Sequence, residues 1–160
     1  MVTKLNALPP IKTPVFSAWL AALPDFQQQA LAPAVPAIGP LLESAPYLLA
    51  LAQDNVDWLI AALGDSPDGA FIDIIETVDA AGASAVDEAV LAPVLRIAKG
   101  RTALLAAIAE TGGAWTTAQA CAALSDLADA ALDAALNLLV RQAAERGLLA
   151  LPPEQATAAN

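Results

Sequence analysis

The fold of this 160-residue chain is decided by L-R-I-A-K-G-R-T-A-L-L-A-A-I-A-E at residues 95–110 and L-S-D-L-A-D-A-A-L-D-A-A-L at residues 124–136. Apolar residues recur three and four positions apart in both segments, which is the spacing of one face of an α-helix. T-G-G-A-W-T at residues 111–116 lies between them. Its glycines are suited to end one helix, and Thr116 with Gln119 forms a capping box that begins the next. The sequence therefore predicts two long antiparallel helices.

Shorter helices are predicted before this pair, because their starts carry side chains that accept a hydrogen bond from a free backbone N–H. The predicted N-terminal caps are Thr13, Ser44, the pair Asp54 and Asn55, Ser66 with Asp65, and Ser84 with Asp87 in a capping-box-like start. Prolines and a glycine predict an irregular link over residues 33–40, and Gly82 is expected to end the helix that Ser66 begins. Pro93 should kink or restart the first long helix, and Gly147 should end the last one.

The combined pattern predicts an all-α protein, with short helices packed on a long C-terminal antiparallel helix pair. No alternating strand pattern of useful length occurs. We divide the chain into a Pro-rich leader with a short helix at residues 1–40, a helical domain at residues 41–150 and an exit tail at residues 151–160.

Each long helix has an apolar arc that we expect to be buried. In the first helix the arc comprises Val90, Val94, Ile97, Leu104 and Ile108. In the second it comprises Cys121, Leu124, Ala128, Ala131, Leu132, Ala135, Leu138 and Leu139. Asp126, Asp129 and Asp133 lie opposite the second arc, where a solvated acidic face is favoured over a cation site. Cys121 is expected to be a small inert residue of the core.

The composition narrows the classes of function. The 17 acidic residues outnumber the seven Lys and Arg, and the formal net charge of −10 disfavours nucleic acid and anionic membrane surfaces as partners. No uninterrupted run of 18 apolar residues occurs, so no membrane-spanning segment is predicted. The chain has no His, the commonest general base and metal ligand, and its single Cys excludes an internal disulfide.

Arg101 is exceptional among the charged residues because it projects from the middle of the predicted apolar arc. A buried guanidinium needs a carboxylate or several carbonyl groups, since an unpaired buried charge is costly. Arg101, with Arg96 and Lys99, is our candidate for a structural ion pair or for a contact with a neighbouring domain. If the pair is buried, Arg101→Ala should lower the free energy of unfolding by about 3–5 kcal/mol.

Several strings resemble the glutamine synthetase adenylyltransferase family, whose bifunctional members transfer and remove adenylyl groups. They are L-R-x-x-K-G-R-x-A-L-L at residues 95–105, G-G-A-W-T at 112–116, A-L-S-x-L-A-D-A at 123–130 and E-S-A-P-Y-L at 43–48. The resemblance covers residues 40–150 and implies the helical N-terminal segment of the adenylyl-removing half. In that family a nucleotidyltransferase fold follows, announced by G-x-G-K-L-G-x-x-E-L-N-x-S-S-D-x-D. No residue of this chain matches that motif.

The resemblance implies a cytoplasmic, catalytically inactive fragment with no catalytic, cofactor-binding or metal-binding residue of its own. Mg²⁺ and ATP would act in the missing nucleotidyltransferase domain, which is the implied partner together with glutamine synthetase. A free-standing acidic helical interaction module is the alternative. The isolated fragment is expected to self-associate through an exposed apolar patch.

Overall fold

The structure, a computed structural model, describes residues 14–149 and contains eight α-helices and no strand within that range. The helices are α1 (Val15–Ala22), α2 (Asp25–Leu31), α3 (Val35–Ser44), α4 (Pro46–Asp54), α5 (Val56–Leu63), α6 (Pro67–Ser84), α7 (Glu88–Thr111) and α8 (Thr117–Glu145). The predicted all-α class is confirmed, and α7 and α8 are the predicted long pair. Thr13 and the predicted exit tail lie outside the described residues.

The chain divides into two compact units, Met1–Ile60 and Ala61–Asn160. In the first unit α3 packs against both α1 and α4. In the second unit α6, α7 and α8 each pack against the other two. The domain division at residue 40 stays a prediction, and α3 runs across that position.

The N-terminus of α1 is capped by a carboxylate from another helix of the same unit. Glu43 accepts hydrogen bonds from the backbone N–H groups of Val15, at 2.7 Å, and Phe16, at 3.0 Å. Neither group has an acceptor within its own helix, and the carboxylate also lies at the positive end of the helix dipole. Glu43 therefore stabilises the packing of α1 on α3.

Helix α3 shows that the predicted irregular link at residues 33–40 is wrong from Val35 onward, and only residues 33 and 34 of it lie in a turn. Pro36 lies in its first turn, where a missing N–H costs no helical hydrogen bond. Pro40 lies inside the helix without ending it. The Ser44 hydroxyl donates to the carbonyl oxygens of Pro40, at 2.9 Å, and Leu41, at 3.0 Å, so its predicted role as an N-cap is also wrong.

Helix α6 begins as predicted and ends later. The Ser66 hydroxyl accepts a hydrogen bond from the Gly69 N–H at 3.0 Å, which confirms the N-cap. The buried residues recur every four positions and form a line along one side of the helix: Ala70, Ile74, Val78 and Gly82. Gly82 is thus part of a packed helix face, and the prediction that it ends the helix is wrong.

Helix α7 is unbroken from Glu88 to Thr111, although Pro93 lies inside it. The fresh helix start predicted near Pro93 is therefore wrong, and the kink there stays a prediction. The N-cap of α7 is Asp87, which accepts from the Val90 N–H at 3.0 Å. Ser84 does not cap it, because its hydroxyl donates to the carbonyl oxygen of Ala80 at 2.7 Å.

Thr102 on α7 is fully buried, and its hydroxyl has no hydrogen-bond partner among residues 14–149. An unsatisfied buried polar group costs about 1–3 kcal/mol, whereas valine has nearly the same shape without the hydroxyl. We expect Thr102→Val to raise the free energy of unfolding by about 1 kcal/mol, measured by urea denaturation. Thr102→Ala is the control, because it removes the hydroxyl but also leaves a void. A lower stability for Thr102→Val would show that the hydroxyl is bonded in solution.

Candidate interaction surface

The three cationic residues singled out in the sequence lie on α7. Arg96 and Lys99 are exposed, and Arg101 is partly buried. Burial lowers the pKa of the Arg101 guanidinium, which nevertheless stays protonated at neutral pH because arginine titrates so far above it. A structural or interdomain ion pair stays a prediction. The loss of about 3–5 kcal/mol in the free energy of unfolding, expected for Arg101→Ala if the pair were buried, does not apply, because Arg101 is only partly buried.

The predicted apolar stripe of α8 exists, but most of it faces solvent. Leu124, Leu132 and Leu139 are 46%, 69% and 51% exposed, and Cys121 is an exposed free thiol. The buried residues of this helix are Ala120, Ala123, Leu127, Ala134 and Leu138, of which only Leu138 belongs to the predicted stripe. At 3.6 residues per turn, their centre lies roughly a quarter turn from the predicted one. The prediction of a buried stripe is therefore wrong for Cys121 and for most of the other residues, and right for Leu138.

Close approach of α6 explains why a small residue, Ala134, lies at the buried centre of α8. A Cβ atom built on Gly82 would lie 2.6 Å from the Ala134 Cβ and 2.7 Å from its Cα. Side chains larger than these would hold the two helices apart. The small side chains therefore decide which face of α8 packs against α6.

The predicted arc of α7 is wrong in part. Val90 and Ile97 are 50% and 49% exposed, whereas Leu104 is fully buried as predicted. The buried residues of α7 are Leu91, Ala98, Gly100, Thr102, Leu104, Leu105, Ala106 and Ala109. Burial is thus concentrated in the second half of α7, and Leu91 is the buried large residue of its first half.

Arg141 of α8 holds the C-terminus of α6. Its guanidinium donates to the carbonyl oxygens of Gly82, at 2.8 Å, and Ala85, at 2.9 Å. The last carbonyl groups of a helix have no partner within it, and a cation is favoured at this negative end of the dipole. No role for Arg141 follows from the residues around it in sequence, because its acceptors lie 56 and 59 residues away.

We expect Arg141→Met to lower the free energy of unfolding by about 2 kcal/mol, since it removes two charge-assisted hydrogen bonds. Guanidinium chloride denaturation followed by circular dichroism measures the change. Arg146→Met is the matched control, because Arg146 is exposed and the substitution should change stability by less than about 0.5 kcal/mol. Equal effects of the two substitutions would contradict the structural role of Arg141.

A shallow apolar depression of about 200 Å³ lies between α7 and α8. Its walls are formed by Glu88, Leu91, Ala92, Leu95, Ala135, Leu138 and Leu139. Leu132 and Leu136, 69% and 58% exposed, project from the same side of α8 as Leu139. We call the depression, together with Leu132 and Leu136, the α7–α8 groove.

The described residues contain no group of three or more His, Cys, Asp or Glu side chains that could hold a metal ion. Asp126, Asp129 and Asp133 are all exposed. Within residues 14–149, no helix has the length and apolar character needed to cross a bilayer. The most distinctive surface of this part of the chain is therefore an apolar groove suited to packing rather than to bond chemistry.

Comparison with known proteins gives a family for the chain. The family described as glutamate-ammonia ligase adenylyltransferase matches residues 38–160. Three relatives are named bifunctional glutamine synthetase adenylyltransferase/adenylyl-removing enzyme. No solved structure matches the chain.

These relatives are much longer than this chain. The enzyme of Rhodopseudomonas palustris strain BisB5 is 36% identical over 117 residues, which cover 73% of this chain and 12% of that protein. The enzyme of strain CGA009 is 34% identical over 173 residues, which cover 97% of this chain and 17% of that protein. The enzyme of Bradyrhizobium diazoefficiens is 35% identical over 147 residues, which cover 88% of this chain and 15% of that protein. With a family match over most of its length, this chain belongs to the glutamate-ammonia ligase adenylyltransferase family.

Proposed function

We propose that this chain is the N-terminal helical portion of a bifunctional glutamine synthetase adenylyltransferase/adenylyl-removing enzyme, and that it braces the adenylyl-removing module without catalysing a reaction. The observation that carries the proposal is the family match over residues 38–160. The chain spans only 12–17% of the relatives named for both activities. None of its 160 residues forms the nucleotidyltransferase motif, and it has no His.

A bracing role is supported by the way the second unit is held together. Helices α6 and α8 meet at Gly82 and Ala134, and Arg141 bonds the end of α6. Trp115, in the turn between α7 and α8, donates to Asp68 at the start of α6. These contacts fix three helices while the α7–α8 groove stays uncovered.

In this proposal Mg²⁺ and ATP act in the nucleotidyltransferase domain, and glutamine synthetase is the protein that is modified in the cytoplasm. Among residues 14–149, no group of three or more His, Cys, Asp or Glu side chains could hold a metal ion. The proposal therefore assigns no reaction step to this chain.

Adenylylation assays test the proposal. The purified chain is mixed with glutamine synthetase, ATP and Mg²⁺, and AMP gain or loss is followed by the mass of the glutamine synthetase subunit. We expect no change with this chain and full modification with the Rhodopseudomonas palustris CGA009 enzyme. A chimera in which this chain replaces the aligned segment of that enzyme should keep its activity, whereas the enzyme lacking the segment should lose it. Turnover by the chain alone would refute the proposal.

The alternative is a free-standing acidic interaction module. It is favoured by the exposed leucines of α8 on a chain of net charge −10. The chimera separates the two functions, because a module with an unrelated role could not replace the aligned segment. A chimera that is folded but inactive would therefore favour the alternative.

A further inference from the structure

We propose that the α7–α8 groove binds one amphipathic helix, supplied by the part of the same enzyme that lies outside the aligned segment. This inference rests on the proposed function, since it places the partner within one polypeptide. Leu132 and Leu139 project from the side of α8 away from α6, because Ala134 and Arg141, which approach α6, lie about 140–180° away round the helix. A helix in the groove would therefore cover the face that α6 leaves open.

The shape of the groove fits a helix. Leu132, Leu136 and Leu139 are spaced four and three residues apart, which places them in one row along α8. Such a row interdigitates with the side chains of a second helix, as in ridges-into-grooves packing and helix-in-groove recognition. Leu91 and Leu95 of α7 form the opposite wall of the groove.

Charges on α7 indicate the chemistry of the partner. Arg96 and Lys99 are exposed on this helix, and Lys99 lies on the same side of it as Leu95. Neither side chain makes an ion pair with the part of the chain that the structure describes. The complementary helix would carry acidic residues toward α7, beside an apolar row that contacts the leucines of α8.

The size and charge of the surface favour this occupant over a second copy of the chain. The exposed row of α8 that includes its side of the groove and continues back to Cys121 is about 27 Å long, and at a width of about 10 Å it covers at most about 270 Å². A standard stable interface buries about 800 Å² on each partner, whereas a helix of the same polypeptide benefits from a millimolar effective concentration. Two copies with a net charge of −10 each would also repel each other. Self-association of the isolated chain is thus expected only at high concentration.

Thiol reactivity tests the proposal. Leu132→Cys is made in a Cys121→Ser background, and Ile72→Cys in the same background is the control, because Ile72 is 55% exposed on α6. The rate of alkylation by iodoacetamide is measured, with peptide-level mass spectrometry, in the isolated chain and in the chimera with the CGA009 enzyme. We expect the Leu132→Cys thiol to react at least about tenfold more slowly in the chimera, from the exclusion of solvent by a packed helix. The control thiol should react at the same rate in both.

Equal rates for the Leu132→Cys thiol in the isolated chain and the chimera would overturn the proposal. So would a tight dimer of the isolated chain that Leu132→Glu converts to a monomer, because the groove would then belong to a second copy. If the chimera does not fold, the isolated chain is instead mixed with the CGA009 enzyme lacking its aligned segment. Activity is scored separately: an active chimera with a reactive thiol refutes only the groove assignment, and a folded, inactive chimera refutes the proposed function.

Discussion

Replacing Trp115 by alanine is expected to lower the free energy of unfolding by about 4 kcal/mol. The indole is only 6% exposed, and its N–H donates to the Asp68 carboxylate at 2.9 Å. Its ring meets Phe71 edge to face, with centroids 6.2 Å apart. The substitution removes a large buried surface, an aromatic pair and a hydrogen bond at the point where the α7–α8 turn contacts α6.

Trp115→Phe separates these contributions. It keeps an aromatic ring against Phe71 but removes the N–H that bonds Asp68, so a loss of about 1–2 kcal/mol is expected. Urea denaturation followed by far-ultraviolet circular dichroism measures both variants. A loss below about 1 kcal/mol for Trp115→Ala would contradict the buried position of the indole.

Helix ends were predictable where a side chain bonds the backbone of its own turn. The Ser66 cap has its donor three residues away, and the capping box of Thr116 and Gln119 is present in full. Gly147 adopts a φ of 69°, as expected of a glycine that ends a helix. Local chemistry alone determines these features. Ser44 and Ser84 show the limit of such predictions. Each is the last residue of a helix, but because another helix begins a few residues later, each was predicted to cap that next helix.

Which face of α8 is buried could not be predicted from periodicity. Helix α8 has two apolar sides, one richer in leucine and one richer in alanine, and apolar content favours the leucine-rich side. The structure buries the alanine-rich side because Gly82 approaches Ala134 so closely. That choice depends on the side-chain volume of a helix about 50 residues earlier in the chain, which no local pattern contains.

The hydrogen bonds of Glu43 and Arg141 could not be predicted from the sequence either. Each of these side chains bonds backbone groups at the end of a different helix, far away in the sequence. The resemblance in residues 95–105 identified the family, but it said nothing about the groove beside that string. The mistaken burial prediction for α8 nevertheless points to the groove. A row of leucines that is apolar enough to be predicted as core, and that is exposed in the structure, is typical of a protein–protein interaction site.

Replacing Gly82 by alanine is expected to lower the free energy of unfolding by about 3 kcal/mol, although alanine is the better helix former. The added Cβ would lie 2.6 Å from the Ala134 Cβ and 2.7 Å from the Ala134 Cα. Rotation of a side chain cannot relieve a contact with backbone, so α6 and α8 would have to separate. That movement would also lengthen the hydrogen bond from Arg141 to the Gly82 carbonyl oxygen.

Ala80→Gly is the matched control for this substitution, because Ala80 is exposed on the same helix. Ala80→Gly should lower the free energy of unfolding by about 1 kcal/mol through helix propensity alone. The same amount is what Gly82→Ala would gain if the added methyl group met no other atom. Guanidinium chloride denaturation gives both values, and hydrogen exchange of the α6 amides shows whether the loss lies at the crossing. If Gly82→Ala instead raised stability by the amount that Ala80→Gly removes, α6 and α8 could not be in backbone contact. The exposure of the α8 leucines would then need another explanation, because the close crossing is what turns them toward solvent.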